Sequence, residues 1–184
     1  MKKIPGDRQM AETKSAALHY SMRPMIGARP HILILGSMPG AQSLKMQQYY
    51  ANPRNQFWRI LGTLFGRKAA FESYEQKCDF LKKNQVALWD SIHQCRRQGS
   101  LDSAIREEEP NDIPGLLDMH PGIRLVAFNG SKSCGVFRKS FGFRRLKERG
   151  IAHLRLPSTS PTPSRYPKSL AEKIDDWSVI KDYL

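Results

Sequence analysis

Two patterns of hydrophobic and polar positions alternate along the chain: short continuous apolar segments, and longer segments with apolar residues at helical spacing. Short apolar segments, typical of buried strands, each run into a glycine, an aspartate, an Asn-Gly pair or a Ser/Pro-rich stretch. The predicted strands are residues 31–36, 86–89, 124–128 and 152–156. The predicted helices are residues 55–65, 70–83, 112–120, 131–141 and 167–183. Because strands alternate with helices, we predict an α/β fold with a largely parallel sheet of about four strands and helices on both faces.

The chain has 184 residues, which suits one domain with a substantial core. We assign residues 30–184 to this single domain. Residues 1–29 are polar and basic and show little periodicity before residue 16, so we predict an arm or a short helix outside the main fold. Residues 93–110 are charged and are predicted to be loop-like.

Composition narrows the class of partner. The formal net charge is +13, and an excess of that size favours a polyanion, most simply nucleic acid; a generally basic protein is the alternative. No apolar run approaches the roughly 20 residues that span a bilayer, and the first ten residues lack the apolar region of a secretory signal. Cys78, Cys95 and Cys134 form no metal-binding pattern with the five histidines. We therefore expect free thiols, no metal or organic cofactor, and a cytoplasmic location.

Candidate chemistry lies in the loops that follow the strands, because ligands of parallel α/β sheets bind at the carboxyl ends of the strands. These loops contain the sequences GSMPG, LWDSI, FNGSKS and LPSTSP. The first, residues 36–40, resembles a phosphate-binding turn but has neither a lysine nor GxGxxG spacing.

The FNGSKS sequence places Asn129 at the end of a predicted buried strand. Its side-chain amide offers one acceptor and two donors in one plane, which suits the edge of a nucleobase, and Gly130 lets the backbone approach closely. A simple turn or N-cap role for Asn129 is the alternative.

The sequence YYANPRNQFW at residues 49–58 combines aromatic and amide side chains. Tyr49 and Tyr50 could stack on a base, or pack as half-buried residues. Phe57 and Trp58 fit the apolar stripe of the following helix. Asn55 lies where that helix begins, so an N-cap role is open for it.

Two further segments could contact phosphates. Within residues 156–166, the stretch 157–163 contains three prolines and four hydroxyls, and Arg165 follows it, which suits either contact with a DNA backbone or a plain surface connection. Residues 132–149 carry seven basic residues, the first of them Lys132, and one glutamate. Such a run is usually a solvated helix face, but its nearly uniform sign favours a surface that follows phosphates.

Taken in order, these motifs resemble the uracil-DNA glycosylase superfamily over about residues 31–175, and most of all its hypoxanthine-DNA (deoxyinosine) glycosylase branch. The resemblance implies a three-layer α/β/α sandwich with a central, mostly parallel four-stranded sheet. It also implies a monofunctional DNA glycosylase that flips a deaminated base out of DNA and hydrolyses its glycosidic bond, with hypoxanthine preferred and uracil second. The implied partner is DNA containing such a base, no cofactor is needed, and we expect a monomer.

The resemblance also implies roles for individual residues. At the position of Met38, many relatives carry an Asp or Asn that orients or activates the attacking water. In the deoxyinosine branch, this role belongs to the position of Asn55. Tyr50 matches the aromatic that stacks on the base, and Asn129 matches the amide that reads it. The remaining implied base-pocket residues are Gly36, Ser37, Met38, Pro39 and Gly40. The implied DNA-binding residues are Ser158, Thr159, Ser160, Arg165 and Lys132.

Two alternative functions stay open at this stage. One is a mismatch-specific uracil/thymine-DNA glycosylase. The other is a catalytically silent DNA-binding relative, because Met38 replaces the usual catalytic residue with a thioether that can neither orient nor activate water. A small-molecule phosphate binder would explain neither the charge nor the aromatic residues.

Overall fold

The computed structural model describes residues 16–163 and 166–184. The strands are β1 (Leu18–Tyr20), β2 (Ile32–Gly36), β3 (Val86–Asp90), β4 (Ile92–Arg96), β5 (Arg106–Pro110), β6 (Leu125–Asn129) and β7 (Ala152–Leu156). The helices are α1 (Ala41–Met46), α2 (Phe57–Leu64), α3 (Tyr74–Lys83), α4 (Ile113–Met119), α5 (Ser131–Phe141), α6 (Arg144–Glu148) and α7 (Leu170–Ser178). Short 3₁₀ turns cover Asp102–Ala104 and Val179–Tyr183.

A four-stranded sheet in the order β3-β2-β6-β7 forms the centre of the structure, and its neighbouring strands are parallel. The central strand β2 is buried along its whole length, as expected of a strand covered on both faces. The predicted fold class is confirmed. The four strands end at the same edge, so Gly36, Asp90 and Asn129 lie together there.

Helices cover both faces of this sheet and produce two separate hydrophobic cores. Ile32 and Ile34 of β2 belong to the core that α2, α3 and α7 complete. Leu33 and Leu35 point the other way, into the core that α4, α5 and α6 complete. This alternation follows from the two-residue period of a strand, and it gives the three-layer α/β/α arrangement.

A second sheet, antiparallel and in the order β1-β4-β5, was not predicted. The prediction of a loop over residues 93–110 is wrong, because residues 92–96 and 106–110 pair as a β-hairpin. The sequence of β5 is REEEP, and its residues are exposed or half-buried. A strand of this kind gives no apolar alternation from which it could be recognised.

The described part of the predicted N-terminal arm belongs to the folded structure. Leu18–Tyr20 pairs with β4, so this segment is a strand rather than a helix. Met25 is buried and exchanges backbone hydrogen bonds with Leu88. Residues 1–15 lie outside the described residues, and the predicted division at residue 30 otherwise stays a prediction.

Two further features concern membrane-spanning helices and the cysteine thiols. Over the described ranges, no helix combines the length and the apolar character needed to cross a membrane. Cys78, Cys95 and Cys134 all carry free thiols, and burial raises the pKa of each.

Phe57 connects the core to the sheet edge where the strands end, so truncating it tests the packing. Its ring is fully buried, stacks on Tyr50 and meets Trp177 edge-on. We expect Phe57→Ala to lower the free energy of unfolding by about 3–5 kcal/mol, measured by urea denaturation. The control Met119→Ala removes an exposed side chain and should change stability by no more than about 0.5 kcal/mol. Equal losses in the two variants would contradict this packing role.

Candidate active site

A cavity of about 350 Å³ opens at the edge where the four parallel strands end. Its walls come from the loops after β2, β3, β6 and β7, from the segment before α2, and from the loop of the β4–β5 hairpin. Its lining residues include Gly36, Ser37, Met38, Pro39, Gly40, Tyr50, Asn55, Asp90, Asp102, Asn129, Ser158 and Ser160. The structure thus brings the predicted base-pocket residues and Asn55 together around one space.

A larger cavity, about 460 Å³, lies elsewhere, between residues 22–26 and α3. It is lined by Tyr49, Tyr74, Cys78 and Lys82, among others. None of its lining residues is an asparagine or a carboxylate, whereas both kinds line the cavity at the strand ends. We therefore take the cavity at the strand ends as the candidate site.

Tyr50 forms an aromatic wall of the site. Its backbone adopts a left-handed conformation (φ 52°). Phe57 stacks on one face of its ring, with centroids 4.0 Å apart and planes inclined by 23°. Burial raises the pKa of the Tyr50 hydroxyl well above its ordinary value, so this group is neutral. Since Phe57 supports one face, the ring is held in place for a ligand on the other.

Asn129 joins three separate segments at the end of β6. Its Nδ2 donates to the Tyr50 hydroxyl and to Thr159 Oγ1, and its Oδ1 accepts from the Thr159 backbone N–H, each at 2.9 Å. Both amide hydrogens are therefore used within the protein, and one acceptor position on Oδ1 remains for a ligand. Reading a base with the N–H groups of Asn129 would require one of these bonds to break.

Asn55 lies two residues before α2, and the two polar atoms of its side chain differ in their contacts. Its Oδ1 accepts from the Phe57 backbone N–H at 3.0 Å, although the N-cap position itself is occupied by Gln56. Within the described ranges, its Nδ2 has no hydrogen-bond partner. Asn55 therefore presents an amide donor at the cavity while its carbonyl supports the start of the helix.

Asp90, at the end of β3, is a site residue that sequence reasoning missed. It is 3% exposed, and its Oδ2 accepts from Ser21 Oγ at 2.8 Å. Burial raises the pKa of the carboxyl from its ordinary 3.8 to about 7, against the opposing effect of the Ser21 hydrogen bond. A Cβ atom on Gly36 would lie 2.5 Å from Asp90 Oδ1 and 3.2 Å from the Tyr50 hydroxyl. Glycine at position 36 therefore leaves room for both groups.

The loop of the β4–β5 hairpin, residues 97–105, makes two contacts with the GSMPG segment and a third with Ala41, the residue after it. The buried Arg97 donates from Nη2 to the Pro39 carbonyl, and the Ala41 N–H donates to Ser100 Oγ at 3.0 Å. Ser37 Oγ donates to Asp102 Oδ1 at 2.7 Å. Sequence reasoning gave this loop no role, because nothing local in its sequence indicates where a hairpin will bring it.

The loop after β7 differs in part from its predicted role. Ser158 and Ser160 line the cavity, and the Ser160 N–H donates to Ser158 Oγ at 3.2 Å. Thr159 has no exposed surface and is bonded to Asn129, so in this conformation it supports the site instead of offering its hydroxyl to DNA. Arg165 lies outside the described residues.

The basic run over residues 132–149 does not form one surface beside the site. Lys132 pairs with Glu108. Helix α5 begins directly after β6, at the edge of the sheet where the site lies, and runs away from that edge. Helix α6 then leads into the start of β7 at the opposite edge, where the Ala152 N–H donates to the carbonyl of Arg124, the residue before β6. There, Arg145 and Arg149 both pair with Asp118. The α6 end of this basic run therefore lies away from the site, with two of its arginines paired to a carboxylate; contact of the run with phosphates stays a prediction.

The fold and the site define a class of protein. A parallel α/β/α sandwich carries, at its carboxyl edge, a cavity with a supported aromatic ring, an amide donor and a buried carboxyl. Residues 24–181 match the family model of the uracil DNA glycosylase superfamily. The chain belongs to this superfamily, which confirms the resemblance in the sequence.

Individual relatives narrow the comparison. The chain is 40% identical over 149 residues to the hypoxanthine DNA glycosylase of Methanosarcina acetivorans, covering 81% of this chain and 89% of the relative. It is 43% identical over 110 residues to the hypoxanthine DNA glycosylase of Methanosarcina barkeri, covering 60% of this chain and 70% of the relative. A solution NMR structure of an M. acetivorans protein assigned to the uracil DNA glycosylases superposes with a TM-score of 0.72 at 36% identity, covering 89% of this chain and 96% of that one.

The arrangement can bind a flat polar ring and position water, and its groups are amides, hydroxyls and carboxyls. Across the described part of the chain, no three His, Cys, Asp or Glu side chains lie together in a way that could hold a metal ion.

The buried carboxyl of Asp90 should make stability depend on pH. In the unfolded chain it ionises near pH 4, whereas in the folded protein it stays protonated up to about pH 7. Its stabilising contribution is therefore complete below pH 4 and is lost as the pH rises to 7. Relative to Asp90→Asn, which cannot ionise, the wild-type protein should lose on the order of 2 kcal/mol of unfolding free energy between pH 5 and pH 8. Urea denaturation of both proteins measures this; a difference between them that is constant with pH would contradict it.

Proposed function

We propose that this protein is a DNA glycosylase of base excision repair that removes hypoxanthine from deoxyinosine in DNA, with uracil as a second substrate. The observation that carries the proposal is the convergence of Tyr50, Asn55 and Asp90 on one cavity at the carboxyl edge of the sheet. The names of the two curated relatives support the choice of base.

The target base has to leave the helix to reach this cavity. Flipping costs a few kcal/mol and is easiest for a damaged or mispaired base. The Tyr50 ring, supported from behind by Phe57, offers a face on which the flipped base stacks, and such stacking is worth roughly 1–3 kcal/mol. The cavity volume of about 350 Å³ falls in the range of small-molecule sites.

We assign recognition of the base edge to Asp90. Hypoxanthine and uracil each present a ring N–H beside a carbonyl, whereas adenine and cytosine have an unprotonated ring nitrogen there. Burial raises the pKa of Asp90 to about 7, so above that pH its carboxylate accepts from such an N–H and repels the lone pair of the unprotonated nitrogen. Asn129, whose N–H groups are already bonded to Tyr50 and Thr159, then positions the aromatic wall and contributes at most its remaining acceptor to the base.

Asn55 is the proposed catalytic residue. The side chain of Met38, which also lines the cavity, has no polar hydrogen and no basic oxygen. The free Nδ2 of Asn55 can donate to the attacking water or to the sugar, and thus orients the reacting groups. An amide has no useful basicity, so Asn55 does not take the proton of the water.

The charge of the protein and the composition of its site support the remaining parts of the proposal. A net charge of +13 favours association with DNA, and Arg54, beside Asn55, is exposed. Among the described residues that line the cavity, none is a lysine, so a covalent imine with the sugar is not expected. The product is then an abasic site in an uncut strand. We also propose that the protein acts as a monomer in the cytoplasm.

Duplexes that carry a single inosine, uracil, xanthine or thymine mismatch test the function directly. After incubation, hot alkali cleaves any abasic site that has formed. Cleavage at inosine above all is the expected result. Cleavage only at uracil or mismatched thymine would favour a mismatch-specific uracil/thymine-DNA glycosylase. Tight binding without any cleavage would favour a silent DNA-binding relative.

The role of Asn55 predicts a separation of catalysis from binding. Asn55→Ala should slow single-turnover release of hypoxanthine about 10²–10³-fold, the usual cost of one positioned donor, while the Kd for the inosine duplex stays within about threefold. The matched control is Asn84→Ala, since Asn84 is also an amide that supports a helix end, at the end of α3. Undiminished release by Asn55→Ala would remove the assigned role.

The role of Asp90 in recognising the base predicts a lower kcat/KM for inosine when its carboxyl group is removed. A hydrogen bond to a charged group is worth about 1.5–3 kcal/mol, so Asp90→Ala should reduce kcat/KM for inosine about 10–10²-fold. The control Asp118→Ala removes a carboxylate that pairs with arginines away from the site and should leave kcat/KM unchanged. Equal kcat/KM values for Asp90→Ala and wild type would contradict base recognition by Asp90.

A further inference from the structure

The site contains a second carboxyl group, that of Asp102, which no sequence motif pointed to. It lies in the β4–β5 hairpin loop and lines the same cavity as Asn55. Its Oδ1 accepts from Ser37 Oγ at 2.7 Å, and Ser37 directly precedes Met38. The hairpin therefore brings a carboxylate to the segment 36–40 of the cavity wall. The thioether of Met38 in this segment cannot accept a proton from water.

The hairpin loop is fixed in this place by its neighbours. Arg97, which is 1% exposed, donates to the Pro39 carbonyl on one side of Asp102. Ser100 accepts from the N–H of Ala41, the first residue of α1. Three successive contacts to the segment 37–41 thus hold the backbone around Asp102, and the position of its carboxylate is a property of the fold.

Asp90 and Asp102 differ in depth, and this separates their roles. Asp90 is 3% exposed at the closed end of the cavity, whereas Asp102 is exposed to solvent at its open end. A flipped nucleotide enters with its base first, while its sugar stays at the open end with the DNA backbone. The carboxylate nearest the C1′ atom and nearest water is then that of Asp102.

We propose that Asp102 is the proton acceptor of the reaction, an inference that rests on the proposed function. Ser37 holds one carboxylate oxygen, which leaves the other to accept from a water that Asn55 helps to orient. The water oxygen bonds to C1′, the C1′–N9 bond breaks, and its electron pair leaves with hypoxanthine. The water proton passes to Asp102 and then to solvent or to the departing base, so the products are hypoxanthine and an abasic site.

The test uses Asp102→Asn, which keeps an acceptor for Ser37 but cannot take a proton at neutral pH. General-base catalysis is worth about 10²–10⁴-fold. We expect single-turnover release of hypoxanthine to fall about 10²-fold or more, with the Kd for a duplex carrying the hydrolysis-resistant 2′-fluoro-deoxyinosine within about threefold. The matched control is Glu109→Gln, which removes one exposed negative charge from the same hairpin and should leave both quantities unchanged.

Chemical rescue separates proton transfer from a structural role. Added formate should restore release by Asp102→Ala, relative to chloride at equal ionic strength, because formate supplies the missing carboxylate. Two results would overturn the inference. One is release of hypoxanthine by Asp102→Asn as fast as by Glu109→Gln. The other is slow release by Asp102→Ala that comes with lost DNA binding and does not respond to formate. If the wild-type protein releases hypoxanthine, such results leave the proposed function intact; if it releases none, the proposed function fails, and this inference fails with it.

Discussion

The three hydrogen bonds of the Asn129 amide are the interaction on which the rest of the site depends. They join the end of β6 to the Tyr50 turn and to the Thr159 loop, segments 79 and 30 residues away along the chain. Breaking any of these bonds leaves a polar group of the half-buried Asn129 amide without its protein partner, which opposes independent movement of the three segments. The left-handed backbone of Tyr50 is held in the same way, by the hydroxyl bond on one side and Phe57 on the other.

A second constraint comes from the close contacts of the end of β2, and of the loop after it, with the two carboxyl groups of the site. Because Gly36 has no side chain, its backbone can lie close to Asp90 and to the Tyr50 hydroxyl. The hairpin loop holds the residues after Gly36 through hydrogen bonds from or to Arg97, Ser100 and Asp102. The small antiparallel sheet, which is peripheral to the core, therefore has a direct role: it closes one wall of the cavity and delivers a carboxylate to it.

The sequence was informative where the physical signal is local. The four parallel strands are continuous apolar segments, and the loops after them contain Asn55 and Asn129, so the fold and part of the site followed from pattern and motif order. Asp90 and Asp102 were missed because their importance arises from distant contacts. The burial of Asp90 depends in part on Ser21, 69 residues earlier, and Asp102 reaches the site through a hairpin whose strand β5 has no apolar alternation. In the same way, the basic run could not reveal that the fold carries its α6 end to the opposite edge of the sheet.

Two carboxyl groups in the wall of a site that receives a polyanion need a physical reason. The phosphates of the DNA stay outside the cavity, where the net charge of +13 acts on them over a distance of about one Debye length, 8 Å in physiological salt. Inside the cavity the groups that arrive are a neutral base with a ring N–H and a sugar that becomes cationic as the glycosidic bond breaks. A carboxylate is favourable to both, and most of all to the transition state, where the positive charge is greatest. The opposite signs of the surface and the cavity therefore suit different parts of the same nucleotide: the basic surface attracts the backbone, and in the roles proposed above Asp90 faces the base and Asp102 the sugar.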